Sequence, residues 1–154
     1  MTKENRDIPT FGQKEPSAAY ETRVGVHAIV ASADKQKICL LQTPNGAYYL
    51  PGGEIEPGET HETALARELM EEIGATAELG DYLGQADEYY YSSHRAQHYY
   101  NPIHAYDVAH VAMNHAPTES GNHIRWFSLP DALGALKRPS HKWALMRWQH
   151  KNGL

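Results

Sequence analysis

The sequence of 154 residues contains a single cysteine, Cys39, so no disulfide can form within one copy of the chain. So little cysteine is typical of proteins that fold in a reducing compartment. Cys39 lies in an apolar, strand-like run, which indicates a core side chain rather than a reactive thiol. The first residues are polar and show no apolar segment of the kind a secretory signal needs. We therefore expect a cytoplasmic protein.

Long hydrophobic runs and an excess of basic charge are also missing. No apolar stretch approaches the roughly 20 residues that a membrane helix requires, so we expect no membrane partner. The formal net charge is -5, whereas proteins that bind nucleic-acid polymers normally present a basic face. The composition therefore favours a small-molecule partner over a nucleic-acid polymer.

The length suits one domain with a sizeable core. Residues 1–19 carry proline, glycine and charge without periodicity and are predicted to form a flexible N-terminal arm. The folded domain is predicted over residues 20–150. Strands, a helix, further strands and a closing helix follow one another along it, with Ser140 as the expected cap of the closing helix. This order predicts an α+β fold in which helices cover a mixed sheet.

Two hairpins are predicted within this order. The apolar run from Thr22 and the run ICLLQTP flank a turn at residues 34–37, so we expect them to pair with each other. A longer, tyrosine-rich hairpin is expected between residues 76 and 113. The polar segment 114–123 consists of turn formers and should be a loop.

The most informative stretch runs from Gly52 to Ala75. From Thr60 to Ile73 it has no glycine or proline and is rich in helix formers. Thr60 is the expected N-cap, and Gly74 should end the helix. At about 100° per residue, one arc should pack on the core; it contains Leu65, Ala66, Leu69 and Ile73.

Three glutamates fall on another arc of this helix. Glu68, Glu71 and Glu72 are spaced i, i+3 and i+4, so their side chains converge within one turn. Like charges at this spacing repel one another unless a positive charge lies among them, and Mg²⁺ or Mn²⁺ prefers such oxygen ligands. A solvated acidic helix face is the alternative. Metal binding is favoured by the preceding glycine-rich turn, where backbone carbonyls can approach a ligand closely.

Written out by position, this stretch resembles the Nudix box of the MutT-like Nudix hydrolases. Five residues separate Gly53 from Glu59, and seven more separate Glu59 from Arg67. The matching positions are Gly53, Glu59, Arg67, Glu68, Leu69, Glu71, Glu72 and Gly74. Ala75 departs from the family, which usually has a larger aliphatic residue there. The resemblance implies a Nudix fold, an α/β/α sandwich with a mixed sheet.

The resemblance also implies an activity and a set of residues. Family members are Mg²⁺-dependent pyrophosphohydrolases, with Mn²⁺ as a second option, that cleave the diphosphate of a nucleoside diphosphate derivative by attack of water on phosphorus. The implied metal ligands are Glu68, Glu71, Glu72 and the carbonyl of Gly52, while Glu59 and Arg67 would brace the loop against the helix. The family often supplies the general base from outside the box. We favour Glu119 in the polar loop, with Glu68 as the alternative.

The sequence indicates the residues that recognise the substrate less clearly than it indicates the metal ligands. Tyr48 stands where many Nudix proteins have tryptophan, and Tyr91 lies where dinucleoside polyphosphate hydrolases of the family carry a tyrosine. With Tyr89 and Arg95, these residues are predicted to contact the substrate, although tyrosines in a hairpin are also good sheet formers. A non-catalytic nucleotide-binding or sensing module on the Nudix fold is the alternative function. Related proteins are often dimers, which implies a homodimer as one assembly.

Overall fold

A computed structural model describes residues 8–154 of the chain. Three helices lie in this range: α1, His61–Ile73; α2, Leu129–Ala135; and α3, Pro139–Lys151. The strands are β1, Thr10–Phe11; β2, Tyr20–Thr22; β3, Gly25–Ile29; β4, Lys37–Gln42; β5, Tyr48–Tyr49; β6, Gly52–Glu54; β7, Thr76–Ser92; β8, Gln97–Ala112; and β9, His123–Ser128. None of the helices in residues 8–154 is long and apolar enough to cross a membrane.

The strands form two sheets. The larger has the order β1-β7-β8-β3-β6, with β2 also paired to β8, and it is mixed because β3 runs parallel to β8 and antiparallel to β6. The smaller is antiparallel, with the order β5-β4-β9. The predicted long hairpin is confirmed as β7 and β8.

The predicted pairing of β3 with β4 is wrong. A single bridge between Ala31 and Ile38 joins the two segments, after which each strand enters a different sheet. Both strands are buried on both faces. An apolar run without alternation identifies a buried strand but carries no information about its partner.

The two buried strands form the middle layer of a sandwich. Val26, Ala28, Cys39 and Leu41 pack in one cluster with the apolar face of α1. The side chains that alternate with them, including Ile29 and Leu40, pack on the other side against α2 and α3. The predicted α+β sandwich with a mixed sheet is therefore confirmed, and Cys39 is a free, buried core residue as expected.

Both ends of α1 agree with the sequence prediction. The Thr60 hydroxyl accepts a hydrogen bond from the N–H of Thr63 at 3.1 Å. Gly74 ends the helix in the left-handed conformation, with φ 61°. A Cβ there would lie 1.9 Å from the carbonyl oxygen of His115, so this position requires glycine.

The buried arc of α1 differs from the prediction in one respect. Ala66 is exposed, whereas Ala64 and Glu68 are buried. The arc is centred near Leu65, so it extends towards the glutamates and leaves Ala66 just beyond its opposite edge. The helix therefore carries one site carboxylate on its packed face.

The N-terminal segment is partly described. Residues 1–7 of the predicted arm lie outside the described residues, and the arm's flexibility stays a prediction, as do the domain bounds. From Thr10 the chain is paired, because β1 lies parallel to β7 with Thr10 opposite Asp87. β2 adds to β8 in the same direction.

The closing helix begins two residues earlier than predicted. Ser140 lies inside α3, and Arg138 is the N-cap residue without a side-chain capping bond. Pro139 suits the first helical position because its fixed φ matches the helix. Ser140 instead donates its N–H and its hydroxyl to Glu88 Oε1, at 3.2 and 2.6 Å, which fastens α3 to β7.

Candidate functional site

The turn at Pro51-Gly52-Gly53 lies directly against α1. The N–H of Gly52 donates to Glu72 Oε1 at 2.8 Å, so this carboxylate ties the helix to β6. A Cβ on Gly53 would lie 2.5 Å from Glu68 Oε1. Glycine is therefore needed for the turn to approach the helix carboxylates this closely.

Arg67 holds the loop before α1 against the helix. Its Nε and Nη2 donate to the two oxygens of Glu59 at 2.8 and 2.9 Å, and Nη2 also donates to the carbonyl of Glu54 at 3.1 Å. Its Nη1 lies 3.0 Å from Glu68 and 3.4 Å from Glu71. Hydrogen bonds from Arg67, with a further one from the N–H of Glu56, lower the pKa of Glu59 to about 2.

Two helix carboxylates, Glu72 and Glu68, have raised pKa values instead. Burial raises the pKa of Glu72 to about 9, and repulsion from Glu68, Glu119 and Glu71 adds to the shift, against the hydrogen bond from Gly52. Burial also raises the pKa of Glu68, although Arg67 opposes this change. Carboxylates that resist ionisation together are typical of a site that receives a cation.

Glu119 joins this group from the loop between β8 and β9. Its backbone N–H donates to the carbonyl of Glu71 at 2.9 Å, which fixes the loop on α1. Its carboxylate accepts a hydrogen bond from Asn122 Nδ2 at 2.8 Å. Glu119 and Glu72 line the same cavity, so the fold brings the polar loop to the box helix.

These residues fit a divalent cation by donor type and by charge. The carboxylates and the Gly52 carbonyl are hard oxygen donors, which suit Mg²⁺ or Mn²⁺. A cation would also relieve the repulsion that raises the pKa of Glu72. Within residues 8–154, no three His, Cys, Asp or Glu side chains are already gathered as a metal-binding group. The residues therefore fit a divalent cation in the type and charge of their oxygen donors.

The cavity extends from these carboxylates across the edge of the larger sheet and has a volume of about 260 Å³. Its other walls come from β3, β5, β7, β8 and the start of α3. They include two arginines, two tyrosines, two histidines and an asparagine: Arg23, Arg138, Tyr49, Tyr90, His27, His141 and Asn101.

Arg138 contacts both an aromatic ring and a buried carboxylate at this wall. Its guanidinium lies 3.6 Å from the centre of the Tyr90 ring, and its Nη1 lies 3.5 Å from buried Glu88. Arg23 pairs with Glu54 at 3.0 Å. Two positive side chains therefore lie on the cavity wall, one stacked on an aromatic ring.

His27 and His141 are buried side by side, with ring centres 4.4 Å apart. Each contacts the backbone of Leu50. His27 Nδ1 lies 3.3 Å from the carbonyl oxygen of Leu50, and the backbone N–H of Leu50 donates to His141 Nδ1 at 3.1 Å. Burial lowers the pKa of His27 to about 4, against hydrogen bonds that the ring donates to the backbone carbonyls of Leu50 and Pro51. Burial also lowers the pKa of His141 well below its usual value.

Comparison with known proteins identifies the family. The family model described as the NUDIX domain matches residues 21–149. The chain belongs to the Nudix hydrolase family. The resemblance of the Gly52–Ala75 stretch and the Nudix fold are thereby confirmed.

Three similar proteins illustrate the relationship. The chain is 33% identical over 104 residues to a CTP pyrophosphohydrolase of Escherichia coli (strain K12), covering 63% of this chain and 70% of that protein. It is 38% identical over 61 residues to a MutT-like protein of Streptomyces ambofaciens, spanning 40% of that protein's length. The solution structure of the E. coli ORF135 protein has a TM-score of 0.64 and 26% identity, covering 86% of this chain and 92% of that one.

The substrate residues predicted for this Nudix protein do not line the cavity. Tyr48 packs edge-to-face on Phe127 at 5.1 Å, and Tyr89 stacks on Tyr100 at 5.0 Å. Tyr91 is 54% exposed. Arg95 lies in the turn of the β7–β8 hairpin. Their contact with substrate stays a prediction.

The cavity is instead lined by Tyr49 and Tyr90, which are the chain neighbours of the predicted tyrosines. Successive side chains of a strand point to opposite faces, so an error of one position selects the wrong face. The histidines were not predicted either. The available signal was His27, the single polar side chain in the buried run from Val24 to Val30.

Proposed function

We propose that this Nudix hydrolase is a Mg²⁺-dependent pyrophosphohydrolase that cleaves the diphosphate linkage of a nucleoside diphosphate derivative by attack of water on phosphorus. The observation that carries the proposal is Glu72, which lines the cavity together with Glu119 and whose pKa is raised to about 9 by burial and by repulsion from Glu68, Glu119 and Glu71. Carboxylates that repel one another in this way suit a cation, together with the phosphate oxygens that the cation attracts.

The cation would be held by Glu68, Glu71, Glu72 and the carbonyl of Gly52, with Mn²⁺ as a substitute. When bound, Mg²⁺ neutralises phosphate oxygens and makes a bound water more acidic. Arg67 and Glu59 act on the positions of these ligands, since Arg67 bridges the loop and two helix carboxylates.

Glu119 is our candidate for the group that accepts the proton of the attacking water. It lies on the cavity wall and is held at its backbone by Glu71 and at its carboxylate by Asn122. Glu68 is the alternative acceptor.

The remaining cavity wall suits the nucleotide part of the substrate. Arg138, stacked on Tyr90, and Arg23 could contact phosphate groups or a ring. The name of the similar E. coli CTP pyrophosphohydrolase supports a nucleotide substrate. We also propose that the protein is cytoplasmic and acts on small molecules. We propose in addition that it assembles as a homodimer, and light scattering of the purified chain would test this assembly.

The test is a phosphate-release screen of the purified chain over nucleoside triphosphates, dinucleoside polyphosphates, ADP-ribose, sugar nucleotides and CoA. Each compound is assayed with Mg²⁺, with Mn²⁺ and with EDTA. We expect metal-dependent cleavage of at least one nucleotide, with none in EDTA. Tight binding of one compound without metal-dependent cleavage of any would contradict the proposal and favour the non-catalytic nucleotide-binding module.

A further inference from the structure

Leu50 lies where the chain passes from one sheet to the other. The pairing of β5 with β4 ends at Tyr49, and the pairing of β6 with β3 begins at Gly52. The backbone polar groups of Leu50 therefore lie outside both ladders. His141 accepts from its N–H at 3.1 Å, and His27 lies 3.3 Å from its carbonyl oxygen.

These two contacts assign opposite tautomers to the two rings. A backbone N–H only donates, so His141 Nδ1 must carry a lone pair and its hydrogen must be on Nε2. A backbone carbonyl only accepts, so His27 Nδ1 carries the hydrogen and Nε2 keeps the lone pair. Both rings are neutral, since they are buried without a carboxylate partner.

The free ring nitrogens open onto the cavity. Both histidines line it, and within the part of the chain that the structure describes neither Nε2 has a hydrogen-bond partner. No sealed side-chain nitrogen or oxygen in that part lacks a partner, so neither Nε2 is sealed within the core. With ring centres 4.4 Å apart, the wall presents one acceptor beside one donor.

We propose that His27 and His141 bind the edge of a nucleobase that carries a hydrogen-bond donor beside an acceptor. The inference rests on the proposed function, and it names the part of the substrate that this wall recognises. A phosphate group is disfavoured here, because the lone pair of His27 Nε2 would face anionic oxygens and the neutral pair offers a single N–H. Amide-type edges of nucleobases supply both groups side by side.

Two kinds of substitution separate base recognition from support of Leu50. In His141→Asn and His27→Asn, the short amide can still bond the Leu50 backbone but does not reach the position of Nε2. In His141→Gln and His27→Gln, the longer amide reaches that position and leaves the Leu50 group without its partner. His110→Asn serves as the control, because His110 on β8 is exposed and pairs with Glu78 on β7.

Titration calorimetry without metal would compare CMP, UMP, AMP and GMP with ribose 5-phosphate, which lacks the base. We expect the wild type to bind at least one nucleotide more tightly than ribose 5-phosphate. Each asparagine variant should weaken that nucleotide about tenfold and leave ribose 5-phosphate unchanged. The glutamine variants should retain more of the base preference but melt at a lower temperature, and His110→Asn should match the wild type.

The inference is overturned if the wild type shows no preference for the base, or if the asparagine variants bind nucleotide as the wild type does. A parallel loss for nucleotide and ribose 5-phosphate would also overturn it. If an asparagine variant does not fold, loss of base preference in the folded glutamine variant overturns the inference and its retention supports it. Binding is measured without turnover, so base-dependent binding in a chain that cleaves nothing contradicts the proposed function alone.

Discussion

The two ends of the cavity are built in different ways. The carboxylate end comes almost entirely from the continuous stretch between Gly52 and Gly74, joined by Glu119. The opposite wall is assembled from β3, β5, β7, β8 and α3, which are distant in the sequence. One end is a local arrangement within a helix and its preceding turn, and the other exists only after folding.

This difference suggests a division of work. Substitutions at the carboxylate end should lower turnover of every substrate, because they act on the bond that is broken. Substitutions on the opposite wall should change KM and the order of preference among substrates. The following predictions test this division.

Glu72→Gln should have the largest effect. Loss of a ligand to the cation removes several kcal/mol of stabilisation, so kcat should fall at least about a hundredfold for every substrate. Glu62→Gln, an exposed position on the same helix, is the matched control and should retain turnover. Steady-state assays over a series of Mg²⁺ concentrations would measure both. Wild-type kcat in Glu72→Gln would remove this residue from the metal site.

Arg67→Lys should have the next largest effect. Lysine keeps the charge but cannot donate to both oxygens of Glu59 in the planar geometry of the guanidinium. Because residues that orient metal ligands typically contribute 10- to 100-fold, we expect a loss of about that size in kcat or Mg²⁺ affinity. A loss confined to one substrate would show that Arg67 belongs to substrate selection instead.

Glu119→Gln should lower turnover at least about tenfold, as expected on removal of a general base. The amide can still accept from Asn122, so the loop contact is retained. If turnover in a steady-state assay is unchanged, the role passes to Glu68.

Tyr90→Ala and Tyr91→Ala compare neighbouring tyrosines on opposite faces of β7. Tyr90 lines the cavity and carries Arg138, whereas Tyr91 is 54% exposed. Removing Tyr90 should raise KM about tenfold with a smaller change in kcat, since a cation–π contact and its stacking surface are lost. Tyr91→Ala should leave both constants unchanged, and a larger effect at Tyr91 would reverse the assignment.

The two ends should also differ in how pH affects stability without metal. The folded pKa of Glu72, about 9, exceeds that of the free carboxyl, so the folded state holds a proton that the unfolded state has released. The stability that protonated Glu72 contributes should therefore fall as pH rises from about 4.5 to 9, by on the order of 1 kcal/mol per pH unit. Melting curves of Glu72→Gln should lose this slope.

The histidine wall should act in the opposite direction. The folded pKa of His27 is lowered to about 4, so the unfolded state binds the proton first as pH falls below about 6.5. The stability that buried, neutral His27 contributes is present above that pH and is lost towards pH 4. His27→Asn should flatten this acidic limb in melting experiments and leave the alkaline slope in place.

What could be predicted from the sequence follows the same local and non-local division. The caps of α1 and the convergence of its glutamates depend on residues within four positions of one another, and both agree with the structure. The faces of β7 and β8 depend on register, which shifts between Thr76 and Gly84. Such irregularities change which tyrosines face the cavity, and composition does not reveal them.

The loop and the histidines show the same limit. Glu119 was predicted in a polar loop, but its bond to Glu71 depends on how that loop closes over α1. His27 and His141 meet because a buried strand and the last helix pack on the same segment. Neither ring lies near a motif that would have indicated its partner.

The position of Leu50 has a consequence for spectroscopy. Its amide donates a hydrogen bond to an imidazole nitrogen, whereas the amides of a sheet ladder donate to carbonyl oxygens. In a ¹⁵N-labelled sample, this amide should give a resonance that moves whenever a ligand shifts the His141 ring. One peak would then report occupancy of the cavity in a sample that contains neither metal nor a reactive substrate.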